Sequence, residues 1–406
     1  MPYNSSHRVV ELMELYPDIS LKKPAPALGT RCWIFPQPPF ILGYEQPDRI
    51  LLSISPNEIG DGPSDILMYV ADPLFDKEPY GFNDLPPFRG PLRRPVQPGP
   101  DRHFDSLDPR SRDYLGVHAY ACVHFVLDVW RNYLARPLRW FFSEFYPRLE
   151  IVPFVRWNNA HAGFGFLELG CSEAGGEQSP YALNFDTIAH EIGHLVTLSQ
   201  TGFPRNPSRD ADFFPFSEAI SDSISLISFL HFDSAIDRLL RRTKGNLLLY
   251  NELNRFAETS PETQIRLATN FRRMSEVTSE AHDRSLPFLG AIFDTIVELY
   301  HRELVASGCA DHRLLSVSLR DLTQDEFAWF RQTTAEAFRD RPLFFKLALI
   351  KARDSVGAAI GAALHRLDPD TMRLGDAALA IISAADLQTA AQLEENFAWR
   401  EIIRSR

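Results

Sequence analysis

Residues Asp186 to Gln200 read DTIAHEIGHLVTLSQ, and the fold is decided in this stretch. Ile188, Ile192, Leu195 and Val196 recur at three-to-four spacing, the period of an α-helix with one buried face. His190 and His194 are four residues apart, so on that helix they lie one turn apart on the same face. Two imidazoles so placed can reach a single zinc ion at about 2.0–2.1 Å. Glu191 stands beside them, placed to take a proton from a water at the metal.

Two histidines do not complete a site. In the H-E-x-x-H-x-x-G-x-x-H pattern a glycine and a third histidine would follow, but Thr197 and Gln200 occupy those positions, which excludes the metzincin arrangement. Further on comes FSEAISD, Phe216 to Asp222, with Glu218 and Asp222 one turn apart at the start of a second helical stretch. Glu218 supplies a carboxylate ligand, giving two histidines, one glutamate and an open position for water. Asp222 can accept the free N–H of a ligand histidine, which fixes its tautomer and raises its basicity. The expected cofactor is therefore Zn2+.

DTIAHEIGH and EAISD together resemble the thermolysin-like metallopeptidases of the gluzincin class. Two further segments extend the resemblance: WNNAHAGFGFLELG, Trp157 to Gly170, and HDRSLPFLGAIFD, His282 to Asp294. The first is similar to the family's edge strand, which implies that Asn159 and Ala160 hydrogen-bond an extended peptide by strand addition. The second implies that His282 donates to the oxyanion of the tetrahedral intermediate. The fold implied is α+β and zincin-like, with a strand-containing N-terminal lobe, a mostly helical C-terminal lobe and the active site between them. The resemblance covers roughly residues 113–300. Two departures stand out: no tyrosine is evident near Arg205, where the family has one, and Phe229 stands where a calcium-binding carboxylate would accompany Asp186, so no calcium site is expected.

The function expected is that of a zinc-dependent endopeptidase acting on a peptide or protein substrate. Two alternatives remain: a catalytically inactive zincin-like module that holds a peptide without cutting it, and a partner-restricted processing or toxin-like protease. No phosphate-binding glycine loop and no G-x-S-x-G elbow occurs, so neither phosphate-loop nor serine-hydrolase chemistry has support. His118 and His124 read as packed residues, and His161, beside the edge strand, is left without a role.

The rest of the chain is arranged around this centre. Its 406 residues suit two or three domains. With Lys+Arg 42 against Asp+Glu 53, the formal charge of −11 repels phosphate backbones, so no nucleic acid partner is expected. Of 30 prolines, 19 fall within the first 109 residues. Residues 1–109 therefore read as a proline-rich region of short strands and loops, with Cys32 to Phe35, Ile50 to Ile54 and Ile66 to Val70 as strands and Gly90 to Asp101 as a linker or extended arm. Residues 110–200 read as an α+β lobe with a helix over Asp113 to Ala135 and a strand pair, Glu150 to Trp157 and Gly163 to Leu169, near a sheet edge. Residues 201–406 read as a helical lobe with a C-terminal extension. Its helices are placed at Ser217 to Phe232, Pro261 to Thr278, Leu286 to Ser307, Asp325 to Phe338, Leu343 to His365 and Gln388 to Arg404.

The four cysteines form no C-x-x-C pair and read as free, mostly buried thiols. Charges at Arg8, Glu11, Glu14, Asp18, Lys22 and Lys23 leave no signal-peptide core, and no stretch is apolar enough for a membrane span. A cytoplasmic location, or export by a leaderless route, is expected.

Overall fold

A computed structural model describes residues 29–404, apart from 82–83, 173–178, 209–210, 250, 254, 261–262 and 317–322. The residues on which the signal-peptide reading rests lie outside the described ones. Strands β1 (Thr30–Ile34) and β2 (Asp48–Leu52) pair antiparallel, and β3 (Met68–Val70) follows. The segment read as an arm is extended, and bridges Pro73 to Leu92 and Gly62 to Val96 stitch it to the body.

Helix α1 (Arg112–Arg131) starts where expected and ends one turn early, where the chain turns at Asn132 to Leu134. It is buried on nearly all sides, because it packs both on the sheet and on the helices that carry the motif. His118 lies within it with no exposure: the Phe35 N–H donates to Nε2, and Nδ1–H donates to the Ala182 carbonyl. His124 is buried against Asp65.

Strands β4 (Leu149–Val152), β5 (Ala160–Ala162) and β6 (Phe166–Leu169) join β3 in one sheet of order β3-β4-β6-β5. The first three are parallel, and β5 runs antiparallel along the edge. The expected strands pair as β4 with β6 but are shorter than expected, β4 ending at Val152 rather than Trp157 and β6 beginning at Phe166 rather than Gly163, and the edge belongs to β5, in the WNNAHA segment between them. The sheet also joins β3, from residues 1–109, to β4, from 110–200, so a change of composition at 109 is not a break in packing.

Side chains alternate across a strand. Leu149, Ile151, Leu167 and Leu169 face the helices, while Glu150 and Glu168 face the other way, and all six are buried. The proline-rich segment covers that second face. Glu168 binds Lys77, accepts the Tyr80 N–H at 2.7 Å and lies 2.6 Å from His161 Nε2. Glu150 accepts the hydroxyls of Tyr69 and Tyr80, both at 2.6 Å.

After β7 (Cys171–Ser172) and β8 (Ser179–Pro180), helix α2 (Phe185–Thr201) opens with Asn184, whose side chain accepts the Thr187 N–H at 3.1 Å. Gly202, at φ 85°, ends it. Helix α3 (Phe213–Phe229) begins a turn before the expected Ser217, since Pro215 is tolerated in a first turn. Helix α4 (Asp233–Thr243) has no counterpart among the expected helices.

Pro261 to Thr278 is a correction. Strand β10 (Thr263–Leu267) lies there, paired antiparallel with β9 (Arg255–Ser260), and a short 3-10 turn follows at Met274–Glu276. Thr263, Ile265 and Leu267 alternate with Gln264 and Arg266 at period 2, and Thr263 and Ile265 are β-branched.

Helix α5 (Ala281–Ala306) starts five residues earlier than expected. Glu280 caps it by accepting the Asp283 N–H at 2.8 Å, and Pro287 is accommodated within it. Helices α6 (Gln324–Asp340), α7 (Pro342–Leu364), α8 (Leu374–Ala384) and α9 (Leu387–Trp399) complete the chain, α8 being unforeseen. These helices hold the site's frame. Asp370 accepts the N–H groups of Arg205 and Asn206, both at 2.7 Å, fixing the loop between α2 and α3. Arg284 Nε donates to Asp212 at 2.8 Å, tying the start of α5 to that of α3. Arg400, fully buried, donates to Asp294 on α5 at 2.6 Å. The four cysteines are buried and none is in a disulfide, and among the described residues no helix is long and apolar enough to cross a membrane.

Candidate metal centre

The site is built where α2 crosses α3 at close range. Gly193 stands at the contact: a Cβ there would lie 2.6 Å from the Ser221 Cα. The HEIGH segment and the SEAISD segment therefore face each other with no side chain wedged between the backbones. From α2 come His190 and His194; from α3, Glu218.

The Nε2 atoms of the two histidines are 3.1 Å apart. His190 Nε2 is 3.5 Å from Glu218 Oε2, and His194 Nε2 is 3.7 Å from Glu218 Oε1. Within the described residues these three side chains are a group whose ligand atoms lie within 4.8 Å of one another. Ligands about 2.0–2.1 Å from a tetrahedral ion stand about 3.3 Å apart. The spacings, and the pairing of two imidazoles with a carboxylate, fit zinc.

The far nitrogens of the rings are held as well. Asp222 Oδ1 is 2.7 Å from His190 Nδ1 and accepts its proton, which turns the Nε2 lone pair toward the centre. Ser217 Oγ lies 2.8 Å from His194 Nδ1 and can do the same. Sequence reasoning found Asp222 through its helical spacing but missed Ser217, whose only mark is its place before Glu218.

Glu191 is half-buried, and its Oε2 accepts the Ala162 N–H of β5 at 2.9 Å. Burial pushes its carboxyl above the usual carboxylate range; the charge of Glu218 adds to this, while His190 and the Ala162 N–H act the other way. The general-base candidate and the edge strand are thus joined directly, through a backbone group that no sequence pattern marks.

Ala160 opens β5, paired with Leu169 of β6. Asn159 is exposed, with its Oδ1 accepting the Ala160 N–H at 2.9 Å and its own carbonyl accepting the Gly170 N–H at 2.9 Å. Its side-chain NH2 is the group left to offer a peptide. Among the described residues β5 pairs with β6 alone, and on this edge strand the Ala160 N–H is held by Asn159 Oδ1 and the Ala162 N–H by Glu191 Oε2.

His282 stands at the first turn of α5, with Nε2 3.4 Å from Glu218 Oε2. Its Nδ1 lies 2.7 Å from Glu280 Oε1. The bond to His282, with the Asp283 N–H, holds the Glu280 carboxyl down at about 2. The fold therefore brings all four segments to one place: the α2 and α3 motifs, the β5 edge and the start of α5.

No protein-family model matches the chain, and no curated protein does. Among solved structures, the chain is similar to the precursor of protealysin, a metalloproteinase from Serratia proteamaculans. The TM-score is 0.32 with 13% identity, over 74% of this chain and 90% of that one. A likeness this distant carries no weight for function, which rests on the geometry of His190, His194, Glu218 and Glu191.

Proposed function

We propose that the chain is a zinc-dependent endopeptidase of the thermolysin-like kind. The observation that carries this reading is the convergence of His190, His194 and Glu218 beside a glutamate, Glu191, bonded to the edge strand β5. Zinc, when bound there, supplies a Lewis acid that polarises a carbonyl oxygen and makes a neighbouring water more acidic.

The chain's own residues do the rest. Asp222 and Ser217 hold the ligand imidazoles in orientation. The edge strand β5, with Ala160 and the Asn159 side chain, offers backbone pairing to an extended peptide. Glu191 takes a proton from water as its oxygen attacks the carbonyl carbon, then gives that proton to the departing amine. One water is consumed, and a carboxyl and an amine are released. His282, its Nδ1 held against Glu280, presents Nε2 toward the oxyanion position as the donor.

The test is cleavage of an unfolded protein followed by mass spectrometry. Wild type should produce fragments, a chelator should stop it, and Glu191→Gln should keep zinc while losing about 10²–10⁴ in rate. A Glu191→Gln protein cutting at the wild-type rate removes the assigned base. Zinc-loaded wild type that cuts nothing in a random peptide library leaves a peptide-holding module instead.

A further inference from the structure

The edge strand that carries the Ala162 N–H is short, and its side chains are those of Ala160, His161 and Ala162. Two of these are methyl groups, which add little packing to hold it in place. His161 is the side chain with reach. It stands directly opposite Glu168 of β6, with Nε2 2.6 Å from Glu168 Oε2. Its ring meets Trp157 edge-on, centroids 4.9 Å apart, and lies 5.0 Å from the ring of Phe166. Glu168 is a fixed anchor: it has no exposure, binds Lys77 Nζ through Oε1 and accepts the Tyr80 N–H at Oε2. Burial works to raise its carboxyl, but the bonds from His161, Lys77 and the Tyr80 N–H outweigh this and hold the group below the usual carboxylate range. Glu168 is therefore ionised, and the imidazole nitrogen donates to it. The Lys77 carbonyl also accepts the Arg156 N–H at 2.8 Å, so the proline-rich region grips the approach to β5 as well as its partner strand.

We propose that His161 is a positioning residue: by tying β5 to the buried Glu168–Lys77 pair, it holds the Ala162 N–H on Glu191. That bond fixes Glu191 Oε2 and leaves Oε1 to take the proton of the attacking water. The contacts run from Lys77 through Glu168, His161 and Ala162 to Glu191, so the proline-rich region reaches the base without touching the metal ligands. The part played in the reaction rests on the peptidase reading above, whereas the clamp on Ala162 stands on the contacts alone. Nitrogen and ring can be told apart by substitution. His161→Phe keeps a ring against Trp157 and Phe166 and removes the donor to Glu168; His161→Gln keeps a donor near the place of Nε2 and removes the ring.

The clamp is read without activity, by amide hydrogen exchange at Ala162 from overlapping peptides, since an edge-strand N–H that loses its acceptor exchanges fast. Exchange should be slow in wild type and His161→Gln and fast in His161→Phe, while peptides from α1, protected alike in all three, show that the fold is kept. Should His161→Phe fail to fold, His161→Asn takes its place, since its amide sits where Nδ1 stood and does not reach Glu168. In steady-state cleavage His161→Phe should lose about 10²-fold in kcat, the scale of a base misplaced by about 1 Å, with KM and zinc content unchanged and His161→Gln near wild type. Slow exchange in His161→Phe, or a loss in His161→Gln alone, assigns the residue to ring packing and overturns the clamp; cleavage by wild type then keeps the peptidase reading. The expected exchange pattern with equal kcat in all three proteins overturns the positioning role. The same pattern with no cleavage by zinc-loaded wild type keeps the clamp and removes the peptidase reading, and neither the pattern nor cleavage overturns both.

Discussion

The imidazole of His190 is constrained at both ends, with Asp222 at Nδ1 and Glu218 near Nε2, so on the proposed reading Asp222 would act through orientation rather than contact with an ion. Asp222→Ala should weaken zinc binding about 10–100-fold, read by competition with a chromophoric chelator. An unchanged affinity would show that packing alone orients the ring. His282 should behave differently: His282→Ala is expected to keep zinc and lose about 10²–10³ in kcat, the scale of one oxyanion donor. Steady-state kinetics beside metal analysis separate the two. That His190, Glu191, His194, Glu218 and Asp222 come together was legible in the sequence, because they sit on helices where spacing converts directly into a shared face. Glu280, Ser217 and the Ala162 N–H were not. Ser217 acts between two helices, Glu280 precedes the apolar pattern of the helix it caps, and a backbone donor carries no mark of residue type.

Helix α2 meets α3 closely because Gly193 has no side chain, and that spacing sets the distance between the histidines and Glu218. Gly193→Val inserts three carbons where even one would touch the Ser221 backbone. The helices must separate, and the variant should retain helical circular dichroism while losing zinc affinity. Unaltered affinity would mean that the crossing does not govern the centre. Long elements with a sustained 3.6-residue period, such as α1, α2 and α7, were readable to within a turn or so at each end. The failures were physical in origin: the strands at 255–260 and 263–267 are too short to distinguish the two periods, and α5 begins at a cap, Glu280, that precedes its apolar pattern.

At the scale of the molecule, the proline-rich region covers the outer face of the central sheet, and the cover is fastened by buried charge. Lys77, 5% exposed, binds Glu168, which has no exposure. Lys77→Ala leaves that carboxylate short of its cation and should cost about 3–5 kcal/mol, seen as a lower denaturation midpoint. The composition shift at 109 marked this region as different but could not show that β3 enters the same sheet, since strand pairing is a long-range fact. Acid should loosen the whole fold. Burial pushes His118 down to about 4 and His301 to about 3, against about 6.5 when unfolded. Between pH 6.5 and those values the unfolded chain binds more protons, so stability is lost as pH falls through that window. His301→Phe should flatten that part of the pH–stability curve, and an identical slope would show that His301 does not contribute. The account as a whole depends on one metal held by two helices. The measurement is zinc content by elemental mass spectrometry in protein purified without chelators, comparing wild type with Glu218→Ala. About one zinc per chain in wild type and a large loss in the variant is the predicted result; no zinc in wild type, or equal zinc in both, contradicts it.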